Sequence, residues 1–426
     1  MRLWCALLVA APAAHANPLE LFGFTPRGAA MAGAHGPVAD DLSAPFYNPA
    51  ALLGREKREL GLGLAAHLPA LRIDRRLPGS PVESARPEGG ARLEAAAIVP
   101  VGGAFRGHLY FGAAIGVPVD KLLRIENLDP ARPQFVLYQS KPQRFSITID
   151  AALRLAPGLA LGVGLQIAQQ QSGFYRFGLD VAERRVTVRE AHVDARISPA
   201  PVLGLVYELP GSWRLGFTWR GEQSQRTEVP TVFDLGPLGA LQIETTSTSF
   251  YWPHTLAIAA SVRPGPLFVA ATIEAQLWSR APSDEVQFAI LPTGEVLTNL
   301  GFSGLLGFSA PARPAALRSV IVLRVGGEVR AWPRVALRAG VSVKPAITPE
   351  QSSGTSYLDS LGATLAAGAG VELLSLDGAP LFLDASLAVS LLANREMRKA
   401  APGDATGGAD FGGAIWAMSA MIRYAY

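Results

Sequence analysis

The 426-residue chain contains one cysteine, Cys5. It falls in an N-terminal stretch with the features of an export signal. Arg2 supplies a positive start, Leu3 to Ala11 an apolar core, and Ala14-His15-Ala16 a small-x-small cleavage site. That core is shorter than the about 20 residues a helical membrane span needs, and Cys5 comes too early for a lipoprotein cysteine. The expected mature chain begins at Asn17, exported across the inner membrane and free of thiols, which excludes disulfides and cysteine metal sites. Charge is scarce as well. Charged residues make up 17% of the chain, against roughly 25% in soluble domains. Without Arg2 there are 37 basic and 35 acidic side chains, too even a balance for the basic patch that nucleic acid requires.

Long hydrophobic runs are missing too: beyond the N-terminal stretch none reaches about 18 residues, although 49% of the chain is hydrophobic and 44 residues are glycine. Such a composition fits either a soluble β-rich protein or a membrane barrel whose apolar residues are spread by alternation. Catalytic patterns are absent. The six histidines, His15, His35, His67, His108, His192 and His254, show no metal-ligand spacing. Gly301-Phe302-Ser303-Gly304 and Gly307-Phe308-Ser309-Ala310 both fail the nucleophile-elbow pattern. No glycine-rich loop has the strand-to-helix setting of a phosphate site. A dispersed triad remains conceivable in principle, but no enzyme and no cofactor is expected.

What is present is period-two alternation. Phe145, Ile147, Ile149, Ala151, Leu153 and Leu155 fall on one face; Arg144, Ser146, Thr148, Asp150, Ala152 and Arg154 fall on the other. The pattern returns at Leu159 to Ile167, at Trp213 to Trp219, at Leu267 to Leu277 and at Leu381 to Leu391. Short glycine- or proline-bearing connections lie at 102–107, 157–158, 210–211, 264–266, 332–334 and 376–380. Between them come long polar connections near 69–91, 119–143, 172–187, 224–250, 280–316, 344–358 and 395–410. Six short and seven long connections require fourteen strands, and their strict alternation is that of an outer-membrane barrel. The last strand puts Trp416, Met418, Ile422, Tyr424 and Tyr426 on one face, as an interfacial aromatic girdle would. A soluble sandwich also alternates, but its apolar face needs a covering second layer.

Residues 17–55 do not alternate. They contain Gly28-Ala29-Ala30-Met31-Ala32-Gly33, Ala39-Asp40-Asp41 and Phe46-Tyr47-Asn48-Pro49-Ala50. This order resembles the N-terminal signature of the FadL family of long-chain fatty-acid and aromatic-hydrocarbon channels. Downstream, Trp252-Pro253-His254, Leu277-Trp278-Ser279, Arg324-Val325-Gly326-Gly327-Glu328 and Leu337-Arg338-Ala339-Gly340 resemble further family motifs in the family's order. The chain departs from the pattern at Ala51, where glycine is usual, and at Val329, where an aromatic is usual. The resemblance implies an all-β protein: a transmembrane antiparallel barrel of about fourteen strands over 56–426, with residues 17–55 folded back as a plug in the lumen. It also implies passive uptake of hydrophobic molecules, fatty acids or similar, by a monomer that releases them sideways into the outer-membrane lipid beside an inward-kinked third strand. Gly112 and Gly116 in that strand could permit such a kink.

Within this frame Asn48, Pro49 and Ala50, with Asp40 and Asp41, are the candidate plug-and-gate residues; the plainer reading of Asn48-Pro49-Ala50 is a turn into the first strand. Phe22, Phe24, Phe46 and Tyr47 either line an apolar pocket or pack the plug itself. The lumen face carries Arg144, Arg154, Arg214, Arg220, Arg318, Arg324, Arg330, Arg338, Lys344 and Arg423 opposite Glu94, Asp150, Glu274, Glu328, Glu372 and Asp384. Most should be paired filling. One unpaired arginine, with Arg154, Arg214 and Arg338 the candidates, could receive a ligand carboxylate. The rival to a channel is a non-transporting barrel that binds surfaces through its long loops.

Overall fold

A computed structural model describes residues 21–53, 58–75, 87–119, 133–138, 145–180, 185–282, 287–301, 306–307, 316–350, 355–376, 378–399 and 408–426. The export-signal reading over 1–16 and the lumen position of Arg144 lie outside these residues. Fourteen antiparallel strands form the wall: β1 (Glu59–Arg75), β2 (Gly90–Pro100), β3 (Leu109–Pro118), β4 (Ser146–Ala156), β5 (Leu159–Asp180), β6 (Arg185–Leu209), β7 (Trp213–Arg220), β8 (Thr255–Val262), β9 (Leu267–Gln276), β10 (Val320–Trp332), β11 (Val335–Lys344), β12 (Gly362–Leu376), β13 (Ala379–Met397) and β14 (Ala409–Ala425). Each pairs with its sequence neighbour, and β1 pairs with β14 from Glu59↔Ala425 to Arg75↔Ala409, which closes the barrel and leaves the wall no free edge.

Alternation sets the two faces of this wall. Every strand exposes at least one large apolar side chain outward, among them Leu62, Phe111, Ile149, Ile258, Ile321, Leu387 and Ile422. Many inward positions are small or polar, as with the buried Thr148, Asp150, Gln166, Thr218, Thr272 and Ser390, and a few, such as Ile98 and Tyr110, are large and apolar. An apolar surface running right round a closed wall is stable against hydrocarbon rather than water. Among the described residues no helix is long and apolar enough to cross a membrane; the crossing elements are strands. At the end of the chain Tyr424 and Tyr426 stack at 5.3 Å, on the short-turn rim.

The strands extend further than the alternation indicates. β5 and β6 stay paired from Leu159↔Tyr207 to Asp180↔Arg185, so most of the connection expected at 172–187 is strand. The 224–250 connection is likewise a hairpin, Gln223–Asp234 against Ala240–Trp252. A membrane strand needs about 9–11 residues; beyond that length neither face meets hydrocarbon, the period-two signal fades, and only the backbone ladder persists. At the same end of the barrel Gln134–Phe135 pairs in parallel with Tyr357–Leu358. Phe135, Leu137, Tyr138, Trp252, Trp278, Ile347 and Leu358 then pack into one apolar cluster over the mouth.

Candidate functional site

Residues 21–53 lie inside the barrel as short helical turns: Pro26–Ala30, Gly36–Val38, Ala44–Tyr47 and Pro49–Leu52. Proline stands in the first turn of each, where its missing N–H costs nothing. Phe24, Leu42, Phe46, Leu52 and Leu53 are buried against wall residues Ala96, Ile98, Tyr110, Ala152 and Val206.

Asn48 fixes this plug to the wall. Its Oδ1 caps the Pro49–Leu52 turn by accepting from Ala50 N–H at 3.0 Å. Its Nδ2 donates to the Pro37 carbonyl at 2.5 Å and lies 3.3 Å from that of Phe217 in β7 and 3.4 Å from that of Leu205 in β6. Glycines make this approach possible. A Cβ on Gly162 would overlap the backbone of Pro49 and Ala50, one on Gly204 would overlap Asn48 Oδ1, and one on Gly216 would overlap the Pro37 carbonyl. Gly162 and Gly204 are cross-strand partners, so the seat is a flat floor on β5 and β6 continued onto β7. On the far side Gly326 and Gly340 make equivalent room for Met31.

Ion pairs tie the opposite side of the plug to the wall. Arg27 binds Asp40 at 2.5 Å and Glu328 of β10 at 2.8 Å. Glu328 is shared with Arg338 at 2.7 Å, and Arg338 reaches Asp384 at 2.5 Å. Asp41 stands 3.5 Å from Arg27 and holds the backbone and hydroxyl of Ser43. Asp40 and Asp41 thus act together with Arg27 as the plug's attachment, while Arg338, a candidate ligand arginine, is saturated by two carboxylates. Arg214 is held by Glu208 at 2.6 Å. Arg154 is half-buried near the short turn at Pro157-Gly158.

A cavity of about 110 Å³ opens above the plug, toward the long connections. Phe22, Phe46, Tyr47, Tyr138, Trp252 and Val322 give it apolar walls; Thr218, Arg220, Glu274 and Arg324 give it polar ones. Of the four candidate aromatics, Phe22, Phe46 and Tyr47 reach it, whereas Phe24 is fully buried against Phe46 at 5.2 Å. Tyr47 is cradled by Gly23, Gly28 and Gly36 and accepts the Phe24 N–H at 3.0 Å. Burial pushes its phenol up to about 12, so it stays a neutral hydroxyl. The arginines facing the cavity are Arg220 and Arg324; Arg154, Arg214 and Arg338 do not line it. Gly112 turns inward against Leu52 and Pro45, and Gly116 forms the last β3–β4 pair, with Ser146.

The crystal structure of a Pseudomonas aeruginosa FadL homologue superposes at a TM-score of 0.63, covering 95% of this chain and 98% of that one at 15% identity. The chain has the FadL-type fold. The Pseudomonas putida toluene transporter TodX aligns at a TM-score of 0.54 and 13% identity, over 95% of this chain and 98% of its own. In sequence, alkane uptake protein A of Marinobacter nauticus is 21% identical over 359 residues, which is 79% of this chain and 75% of that protein. No family model matches the sequence. β3 pairs with β2 from Arg92↔Pro118 to Pro100↔Tyr110 and with β4 from Leu109 to Gly116 without a shift in register, so its backbone ladder is continuous.

Proposed function

We propose that this chain is a Gram-negative outer-membrane channel for passive uptake of small hydrophobic molecules, working as a monomer and carrying out no chemistry on them. The observation that carries this reading is an apolar-walled barrel, stoppered by a seated plug, whose aromatic cavity lies directly below an apolar mouth. Physically, an apolar molecule moves from the mouth cluster to the cavity without meeting bulk water, keeping about 0.8 kcal/mol per buried methylene. The toluene and alkane proteins that resemble it support the same class of cargo.

Below the cavity the straight path is closed by the ion-paired side of the plug, so release is sideways into the bilayer. The wall around β1 to β3 supports this: Gly61, Ala95, Ala96, Ala97, Gly112 and Ala113 make it thin. Its outer face carries an apolar groove of about 460 Å³ lined by Leu60, Leu62, Ile115, Ile422 and Tyr424 among others. Because β3 is paired with β4 from Leu109 to Gly116, release requires the Asn48-Pro49-Ala50 turn and Leu52 to shift before the β3–β4 ladder parts near Gly116.

The test is uptake of labelled oleate and labelled toluene by cells that lack their own hydrophobic channel and express this protein. Uptake of either above background is expected. No uptake of any hydrophobic compound by protein shown to be folded in the outer membrane would leave surface binding through the long connections as the better reading.

A further inference from the structure

Two polar atoms on the cavity wall have no partner among the described residues: Thr218 Oγ1 and Arg220 Nε. Thr218 is 5% exposed and Arg220 9%, and both line the cavity. They stand two residues apart on β7, so they point the same way. The rest of Arg220 is engaged, one Nη donating to the Phe46 carbonyl while its guanidinium lies 4.7 Å over the Phe46 ring. A buried donor left without an acceptor is costly; both residues line the cavity, so a guest that displaces the side chains covering these atoms gains them as recognition groups.

Charge narrows what that is. Arg324 is matched by Glu274 at 3.0 Å and Lys344 by Asp359 at 2.8 Å. Asp150, buried with both oxygens unpartnered, lies in the same cross-strand row as Arg220, through Gly164 and Val202. An incoming carboxylate would therefore compete with Asp150 for Arg220, and a neutral oxygen is the better acceptor. Size narrows it further. A buried apolar cavity of about 150 Å³ accommodates a benzene ring, and the volume here, about 110 Å³, is on that scale rather than that of a long acyl chain.

We propose that the cavity recognises a compact, neutral ring bearing one oxygen, a molecule of the phenol class. The ring lies among Phe22, Phe46, Tyr47 and Trp252; its oxygen accepts from Arg220 Nε–H, and its hydroxyl meets Thr218 Oγ1. This rests on the channel reading above and names its cargo.

The experiment is calorimetric binding of 4-methylphenol, toluene and 4-methylbenzoate to the purified full-length protein, three probes that share the ring and methyl group. We expect 4-methylphenol to bind roughly tenfold or more tighter than toluene, and 4-methylbenzoate to bind more weakly than 4-methylphenol. Thr218→Val, nearly isosteric, should shrink that preference severalfold, and Arg220→Lys, which keeps the charge but loses the Nε–H, should shrink it too. Toluene binding as tightly as 4-methylphenol overturns the proposal, as does tightest binding of the benzoate, or a preference that survives both substitutions. If no ring binds but oleate or an alkane is taken up by cells, the phenol assignment falls and the channel stands. If nothing binds and nothing is taken up, both fall.

Discussion

The plug divides the lumen into two hollows of opposite character. The one above it is about 110 Å³, walled in part by aromatic rings, with two polar atoms unpaired among the described residues. The one below is about 650 Å³ and lined by Arg27, Asp40, Asp41, Glu328, Arg338, Asp384 and Arg423, which are linked to one another. Affinity for a hydrophobic guest follows unengaged groups and apolar area, not volume, so the smaller hollow suits such a guest better. The lower one is a lock. The seven charges named are committed to one another, and an apolar molecule passing through would have to separate them without offering hydrogen bonds in return.

The largest effect should come from removing the seat. Gly162→Val places atoms where the Pro49–Ala50 backbone runs, so the plug tip must leave the wall and the two hollows must join. In planar bilayers the variant should show a clear rise in ion conductance over the wild type, with the barrel's β signal in circular dichroism unchanged. Unaltered conductance would mean that the plug is not held at that seat.

Next comes the lock. Glu328→Gln leaves Arg27 and Arg338 short of their shared carboxylate, and breaking this part-buried pair should cost somewhat less than the about 3–5 kcal/mol of a fully buried one. The plug should then become sensitive to added protease while the barrel stays resistant. Asn48→Ala removes one cap and its donations to Pro37 and the wall, a smaller loss of about 1–3 kcal/mol. If proteolysis ranks these two the other way round, the glycine seat rather than the ion pairs dominates plug retention.

How much of this was legible in the sequence follows from the same comparison. Hydrocarbon imposes its demand on every second residue, so the outward faces of β4, β7, β9, β13 and β14 could be read directly, and with them the strand count. The lumen imposes no comparable period. Arg214, Arg220, Arg324 and Arg338 all read as inward; which of them faces the cavity depends on height along the wall, set by register and by where the plug sits. The abundance of glycine was plain, yet the roles of Gly162, Gly204 and Gly216 emerge only when Asn48 and Pro37 arrive beside them. Asp40 and Asp41 were singled out by resemblance; their partner Arg27, inside the same segment, could have been marked as a buried cation needing two acids. The long hairpins on β5 and β6 were hidden because no solvent boundary marks their faces.

Acid should sharpen the contrast by a modest amount. Burial alone would raise the Asp41 carboxyl, but Arg27 and the hydrogen bonds from His35 and Ser43 outweigh it and hold the group well below its usual 3.8. A depressed carboxylate contributes stability that is complete above that ordinary value and drains only as pH falls through the lowered one. Plug retention measured by proteolysis should therefore be flat from neutral pH down to about 5. Loosening already at mildly acidic pH would show that Asp41 is not ionised in its bond to Arg27.

The finest test separates two phenylalanines that sequence could not tell apart. Phe24 is fully buried and packs on Phe46 inside the plug, while Phe22 borders the cavity and stacks on His67 at 5.2 Å. Phe24→Leu removes ring contact from the plug interior and should cost about 1 kcal/mol of its stability with cargo affinity preserved. Phe22→Leu should do the reverse, weakening the binding of a ring-shaped guest by a few-fold while protease resistance stays at the wild-type level. The pair works as an internal control, since both changes delete the same atoms from residues two apart in the chain. If both variants lose affinity equally, the upper hollow takes its shape from the whole plug core; if only Phe22→Leu does, the cavity wall itself is the recognition surface.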